Sequence, residues 1–177
     1  MGRPTSGLVR LVAHDPAWPA LAKREASRMR EALGTILIDV HHIGSTAISG
    51  IVAKPVIDLI PVVSDLASLD AAQAQLESLG YSWWGEFGIE LRRYCTLDDS
   101  GRRLVNAHFY AMGNPQIERH VAFRDYLRAH PEIAREYEDL KIRLAAEHGN
   151  DVLEYADAKT PWIRSVESAA INFYRSR

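Results

Sequence analysis

Two apolar patterns alternate along the chain, and they predict helices and strands in turn. From Trp18 to Leu33, apolar residues recur every three or four positions between charged ones, which predicts a helix capped by Gly34. The runs 36–43 and 56–63 are rich in β-branched and aliphatic residues, which predicts two strands. The second run is almost continuously apolar, so we expect that strand to be covered on both faces of its sheet.

The remaining pattern predicts a mixed sheet followed by a helical third. The other predicted elements are a short edge strand over 8–12, a helix after Asp70 that ends at Gly80, strands over 81–84, 90–97 and 104–112, and helices over 115–129, 131–148 and 151–174. The polar turn 98–101 favours a hairpin between the last two strands. The elements predict one α/β (α+β) domain over residues 1–177, with about five strands and flanking helices.

Composition narrows the class of protein. The chain has 177 residues, of which 47% are apolar and 25% charged, and its net charge is −2, as in ordinary soluble globular proteins. This charge gives no overall attraction to nucleic acid, so we expect a small-molecule or nucleotide substrate. The single Cys95 excludes an internal disulfide framework and a multi-cysteine zinc site. We see no signal peptide or membrane span and expect a cytoplasmic protein without a membrane partner, of open oligomeric state.

One acidic residue, Asp58, interrupts the apolar run of the second strand. A carboxylate there is costly to desolvate unless a metal ion, a cation or hydrogen bonds accompany it, so the position suggests a site. The earlier turn Gly44-Ser45 could let backbone N–H groups and a hydroxyl approach a phosphate. Lys54, just before the strand, could reach the same ligand. The structural alternatives are an ordinary turn and an aspartate paired with a neighbouring Arg or Lys.

The stretch from His42 to Asp58 resembles the GrpB family, also called UPF0157. The shared features are the Gly-Ser pair, the twelve residues between Ser45 and Asp58, and an Ala-Lys-Pro-φ-φ-Asp strand. Similar segments continue at Phe123-Arg-Asp-Tyr-Leu-Arg128, Glu136-Tyr137, Leu140-Lys141 and Tyr155…Lys159, so the resemblance covers nearly the whole chain. The family belongs to the nucleotidyltransferase superfamily, and the resemblance implies a nucleotidyltransferase-like mixed sheet.

The resemblance also implies Mg²⁺-dependent transfer of a nucleotidyl group to a small-molecule acceptor. Asp58 is the expected magnesium ligand, and Asp58, His108 and Lys54 are the expected catalytic residues. The expected substrate-binding residues are His42, Gly44, Ser45, Thr46, Arg92, Arg93, Asn106, Tyr155 and Lys159. A charged residue on a helix or hairpin is by default part of a solvated face, so each of these roles has a structural alternative.

The second acid of the superfamily pattern is missing from the Asp58 strand. Two residues later, on the same strand face, the chain has Ile60. This departure argues against two-metal transfer unless Glu90, Asp98 or Asp99 supplies an acid from elsewhere.

Polar side chains also alternate along the strand predicted over 104–112. Asn106, His108 and Tyr110 should share one face of that strand. The family resembles a His-φ-His pattern here, and Asn106 stands at one of the histidine positions, so a two-histidine metal site is not expected. His108 could orient or deprotonate an acceptor. On the preceding strand, Arg92 or Arg93 could grip a phosphate.

Three functions stay open from the sequence. The first is nucleotidyl transfer. The second is a ligand-binding module without transfer, which Ile60 favours, and family members joined to dephospho-CoA kinase domains imply such an accessory role. The third is metal-independent condensation or cyclisation, with His108, Lys54 and Lys159 as acid–base groups. A fold does not separate them, because function belongs to the site.

Overall fold

The computed structural model describes residues 8–177 and shows a five-stranded sheet with helices on both faces. The strands are β1 (Leu37–Ile43), β2 (Ile57–Val63), β3 (Tyr81–Trp83), β4 (Arg93–Asp99) and β5 (Arg102–Ala111). The helices are α1 (Trp18–Leu33), α2 (Leu66–Ala71), α3 (Gln73–Ser78), α4 (Pro115–Ala129), α5 (Pro131–His148), α6 (Val152–Ala158) and α7 (Thr160–Arg175). The expected mixed α+β fold is confirmed.

The sheet has the order β1-β2-β5-β4-β3. Its central strands β2 and β5 run parallel, and the other neighbouring pairs are antiparallel. The expected hairpin joins β4 and β5 through Ser100 and Gly101, whose φ angles of 50° and 78° are typical of a tight hairpin turn. Asp58 and Asn106 are register partners on the two parallel strands, so the lone acid lies in the middle of the sheet.

The first three helices cover one face of the sheet. Residues at alternate positions of the central strands, among them Leu59 of β2 and Phe109 of β5, pack there with Met29 of α1. Each of these side chains is fully buried, which contributes roughly 1.5–3 kcal/mol apiece to folding. The α1 face is therefore the main apolar core.

The opposite face is apolar only beneath α4. The cluster there comprises Ile43, Ile60, Val62, Tyr110 and Ile117. Ile60 thus packs into a small core at the position where the superfamily pattern would place an acid. Farther along the same face, Asp58, Asn106 and His108 keep part of their surface accessible to solvent.

The C-terminal helices form a second core of their own. Leu127, Tyr137, Leu140 and Tyr155 are buried there together with Ile48 from the loop between β1 and β2. This packing holds the helical third against the loop that carries Lys54. No helix in the described part of the chain has the length and apolarity needed to cross a membrane.

Two predicted strands are wrong in extent. Residues 8–12 do not join the sheet, and Val12 makes one isolated bridge with Ala53 instead. The strand predicted from Glu90 begins at Arg93, because Gly88 and Leu91 have φ angles of 80° and 60° that bend the chain into a loop.

Two predicted helices are each divided in two. The helix expected after Asp70 is replaced by α2 and α3, and α2 starts earlier because Asp65 caps it by accepting the Ser68 N–H. The helix expected over 151–174 breaks at Lys159, since Pro161 lies in the first turn of a new helix. This break places Lys159 between α6 and α7.

Candidate functional site

Asp58 has one oxygen held by a neighbour and one left for other contacts. The Asn106 side-chain N–H donates to Asp58 Oδ1 at 2.8 Å, because the two residues are partners on adjacent strands. Burial raises the pKa of Asp58, and the Asn106 hydrogen bond and the charges of Lys54, Lys159 and His120 oppose that shift. No described residue forms a salt bridge with Asp58. The carboxylate is therefore neither sealed in nor neutralised by direct pairing.

The glycine turn lies against the second oxygen of Asp58. Strand β1 ends at Ile43, the register partner of Asp58, so the chain leaves the sheet beside the carboxylate. Gly44 has a φ of 71°, and a Cβ built there would lie 2.7 Å from Asp58 Oδ2. Only glycine fits this close approach. Ser45 then starts a 3-10 turn, with its side chain beside Tyr137 of α5.

Two arginines of α4 hold both ends of this turn. Arg124 Nη1 donates to the His42 carbonyl at 3.0 Å, and Arg128 Nε donates to the Ala47 carbonyl at 2.7 Å. Sequence reasoning assigned Arg124 at most an ion pair and missed Arg128. No local signal could have indicated these bonds, because each joins residues more than 80 positions apart.

Two lysines share one tyrosine ring next to Asp58. The ammonium groups of Lys54 and Lys159 lie 5.8 and 4.4 Å from the centroid of the Tyr155 ring. Burial and the nearby Lys54 lower the pKa of Lys159 to about 8, although Asp58 opposes the shift. Neither lysine forms a salt bridge within residues 8–177. The site therefore combines two cations without paired acids and one carboxylate.

A third lysine fixes the loop that carries Lys54. Lys141 of α5 is buried, donates to the Val52 carbonyl and lies 4.9 Å from the Tyr137 ring centroid. The Glu138 carboxylate accepts the Val52 N–H at 2.6 Å. Burial and Lys159 lower the pKa of Lys141 to about 7. Helix α5 thus grips both sides of one residue in the loop.

Two histidines face this region in neutral form. His108 Nδ1 accepts from Arg92 Nη1 at 3.3 Å, so its proton is on Nε2. Burial, together with Arg92 and His120, lowers the pKa of His108 to about 3. His108 is thus a hydrogen-bond donor rather than a base. His120 of α4, which sequence reasoning missed, donates Nδ1–H to the Gln116 carbonyl at 2.8 Å and interacts electrostatically with Asp58.

Three residues from the expected substrate-binding set lie away from Asp58. His42 pairs with Leu59 and so points to the α1 face, where its Nε2 lies 2.8 Å from the Oγ1 of buried Thr46. Arg93 points to the same face and pairs with Asp70 at 2.6 Å. The structure brings together Gly44, Ser45, Lys54, Asp58, Asn106, His108, Tyr155 and Lys159.

No second acid joins Asp58. Glu90 is exposed in a loop, Asp98 pairs with Arg103 at 2.6 Å, and Asp99 is exposed at the end of β4. In the described residues, no group of three or more His, Cys, Asp or Glu side chains could hold a metal ion. One carboxylate among lysines does not fit a magnesium centre, since Mg²⁺ needs oxygen ligands and the ammonium groups already supply positive charge. The expected magnesium dependence stays a prediction.

Two surface hollows lie elsewhere on the molecule. One of about 440 Å³ lies between α4 and the end of α7, and one of about 430 Å³ lies between residues 48–51 and α5. Neither is lined by Asp58 or the two lysines. We place the candidate site at Asp58 because chemically distinct polar groups converge there, which volume alone does not show.

Comparison with known proteins gives a consistent family. The family model described as GrpB protein matches residues 8–169. The UPF0157 protein YqkA of Bacillus subtilis is 38% identical over 169 residues, which cover 96% of this chain and 49% of YqkA. The chain therefore spans about half the length of that relative. The UPF0157 protein BH1888 of Halalkalibacterium halodurans is 34% identical over 95% of this chain and 85% of its own.

A solved structure has the same fold along almost the whole chain. The crystal structure of conserved protein GrpB from Enterococcus faecalis superposes with a TM-score of 0.87 at 36% identity. The match covers 93% of this chain and 99% of that one. The Gly-Ser turn, the Asp58 strand and the helical third all lie within the matched family range. The chain belongs to the GrpB family.

Proposed function

We propose that the Asp58 site binds a nucleotide or another phosphorylated small molecule. The observation that carries the proposal is the pair Lys54 and Lys159, two ammonium groups at one tyrosine ring without salt-bridged acids. Lys159 is held in a poorly solvated position where its charge is disfavoured, as its lowered pKa of about 8 indicates. An anionic ligand would relieve this cost, because an opposite charge nearby favours the charged form.

The remaining groups have complementary roles. The backbone at Gly44 can approach a phosphate closely, since no Cβ stands in the way. The free oxygen of Asp58 accepts a hydrogen bond from a hydroxyl of the ligand or of an acceptor. Asn106 keeps that oxygen oriented by holding the other one. A ligand that carries both phosphate and hydroxyl groups matches this set.

The same geometry supports nucleotidyl transfer as the reaction. Asp58 Oδ2 takes the proton of the acceptor hydroxyl while that oxygen attacks the α-phosphorus of a nucleoside triphosphate. The bond from the α-phosphorus to the pyrophosphate oxygen breaks, and the lysines stabilise the charge that develops on pyrophosphate. The raised pKa of Asp58 makes it a stronger base than an ordinary carboxylate.

The second candidate is a binding module without transfer. The observation that favours it is Ile60, which packs beneath α4 at the position of the superfamily's second acid. Continuous measurement of pyrophosphate separates the two candidates. Release that depends on an acceptor supports transfer, and tight nucleotide binding without release over many hours supports the binding module.

Titration calorimetry tests the binding proposal itself. The purified chain is titrated with ATP, CTP, GTP, UTP and inorganic pyrophosphate, with and without Mg²⁺. We expect at least one to bind, and Lys159→Met and Lys54→Met to weaken binding at least tenfold, or about 1.4 kcal/mol. Arg102→Met, an exposed change on the hairpin, is the matched loss of one charge and should have no effect. Absence of binding to wild type, or unchanged binding in Lys159→Met and Asp58→Ala, contradicts the proposal.

A further inference from the structure

A series of stacked aromatic rings leads from the Asp58 network to the surface. The Tyr94 hydroxyl donates to Asn106 Oδ1 at 2.8 Å, and Asn106 in turn holds Asp58. The Tyr94 ring stacks on Phe87, with centroids 5.3 Å apart and planes inclined by 26°. Trp84 lies beside Phe87 at a centroid distance of 6.1 Å. The rings are therefore continuous with the candidate site through two hydrogen bonds.

The outer end of this series is exposed and apolar. Phe87 keeps 39% of its surface in solvent, and its loop neighbours Ile89 and Leu91 keep 41% and 55%. We call residues 84–92 the Phe87 loop. Phe87 and Leu91 have φ angles of 46° and 60°, which side chains other than glycine rarely adopt. Such a conformation persists only where surrounding contacts impose it.

Arg92 imposes the loop conformation from beneath. Its side chain is 6% exposed, and its guanidinium donates to the Glu86 carbonyl at 3.2 Å and to the Phe87 carbonyl at 2.8 Å. The Leu91 N–H donates to the Glu86 carboxylate at 2.8 Å. Arg92 is thus used by the loop and by His108, and it is not free to grip a phosphate. The loop presents Phe87 in a fixed position, which lowers the entropy lost when a ligand binds.

We propose that the Phe87 loop docks the planar heteroaromatic ring of the ligand, so that the phosphorylated molecule is a nucleotide rather than a sugar phosphate or a bare polyphosphate. This inference rests on the proposed function at Asp58. The ring stacks on the exposed side of Phe87 while the phosphates extend towards Lys54 and Lys159. Stacking on an aromatic ring is tolerant of base identity, because every base has a π face. Weak discrimination among the four bases follows.

The test separates ring recognition from phosphate recognition. Affinities for ATP and for inorganic tripolyphosphate are measured by calorimetry on wild type, Phe87→Ala, Lys159→Met and Ile89→Ala. We expect Phe87→Ala to weaken ATP about tenfold and leave tripolyphosphate unchanged, as loss of one stacking contact predicts. Lys159→Met should weaken both ligands. Ile89→Ala, an exposed change on the same loop outside the ring series, should weaken neither.

The outcomes distinguish the two proposals. Unchanged ATP affinity in Phe87→Ala, with both ligands bound by wild type, overturns the ring inference and leaves the phosphate site standing. Absence of binding of both ligands to wild type overturns both. If Phe87→Ala loses both ligands equally, Phe87→Trp decides, because a larger planar ring should keep or raise the ATP affinity. Loss of ATP binding in Phe87→Trp as well overturns the inference.

Discussion

At the scale of single residues, the absence of a side chain at Gly44 permits the site to form. We expect Gly44→Ala to lower the free energy of unfolding by roughly 1–3 kcal/mol, from left-handed backbone strain and displacement of the Asp58 carboxylate. Nucleotide binding should weaken as well, because the turn must move away from Asp58 Oδ2, which would lie 2.7 Å from the new Cβ. Urea denaturation and calorimetry measure the two effects.

Gly113→Ala is the matched control for this substitution. Gly113 has a φ of 88°, and a Cβ there would meet nothing within 4 Å. It should show about 1–2 kcal/mol of backbone strain and unchanged ligand binding. Equal loss of binding in the two variants would show that contact with Asp58 is not what matters at Gly44.

The lowered pKa of Lys159 predicts how binding depends on pH. Only the charged amine attracts an anion, so affinity should fall as pH rises through the Lys159 pKa of about 8. Between pH 7 and pH 9 we expect a loss of about tenfold, since the uncharged fraction rises from about a tenth to about nine-tenths. Calorimetry at pH 7, 8 and 9 checks it. Lys159→Gln should give a flatter profile, and an affinity that rises with pH contradicts the role of this amine.

The same shift has a consequence for stability. Lys159 in the folded chain releases its proton at lower pH than the unfolded chain does, so the unfolded state binds more protons above pH 8. Stability contributed through this residue therefore rises with pH from about 8 towards its ordinary pKa of 10.5. Ligand binding and intrinsic stability thus change in opposite directions over that range.

At the scale of elements, the Phe87 loop depends on one buried cation. We expect Arg92→Met to raise the rate of chymotrypsin cleavage in residues 84–92 by about tenfold, because two carbonyls lose their donors and local opening becomes easier. Far-ultraviolet circular dichroism should stay unchanged, since β4 and its sheet partners are formed by other residues. Arg102→Met, an exposed change at the start of β5, should be cleaved like wild type. Equal cleavage of all three proteins would remove Arg92 as the anchor of the loop.

Some elements were predictable because their signals are local. The bounds of α4 and α5 agree with the prediction, since Pro115 and Pro131 start the helices and apolar residues recur at helical spacing. The start of β4 was missed because residues 90–92 alternate like a strand while Leu91 has a positive φ. That bend comes from the contacts of Arg92 and Glu86, which are tertiary rather than local.

At the scale of the whole molecule, the expected single domain is a prediction about cooperativity. Trp18 belongs to the core on the α1 face, and Trp162 packs at the core of the C-terminal helices. Because both cores adjoin elements around Asp58, we expect them to unfold together. Two variants that retain only Trp18 or only Trp162 should show the same urea midpoint by fluorescence. A lower midpoint at Trp162 would make the helical third a separate unit.

The candidate site exists only in the assembled molecule. Its groups come from the turn after β1, the central strands β2 and β5, the loop before β2, and the junction of α6 with α7. Sequence reasoning selected most of these residues through the Gly-Ser turn, the acid in an apolar strand and the family resemblance. It did not foresee that Arg93 and His42 point to the other face of the sheet.

The sequence by itself determined the mixed α+β fold, the family and the position of Asp58 in a central strand. These follow from hydrophobic periodicity and from glycine and proline signals, which act over a few residues. Only the tertiary structure decided that Asp58 is surrounded by lysines rather than by a second acid, and that Arg92 serves a loop instead of a ligand. Such neighbours lie far apart in the chain, and their meeting depends on strand register and helix packing, which no local pattern encodes.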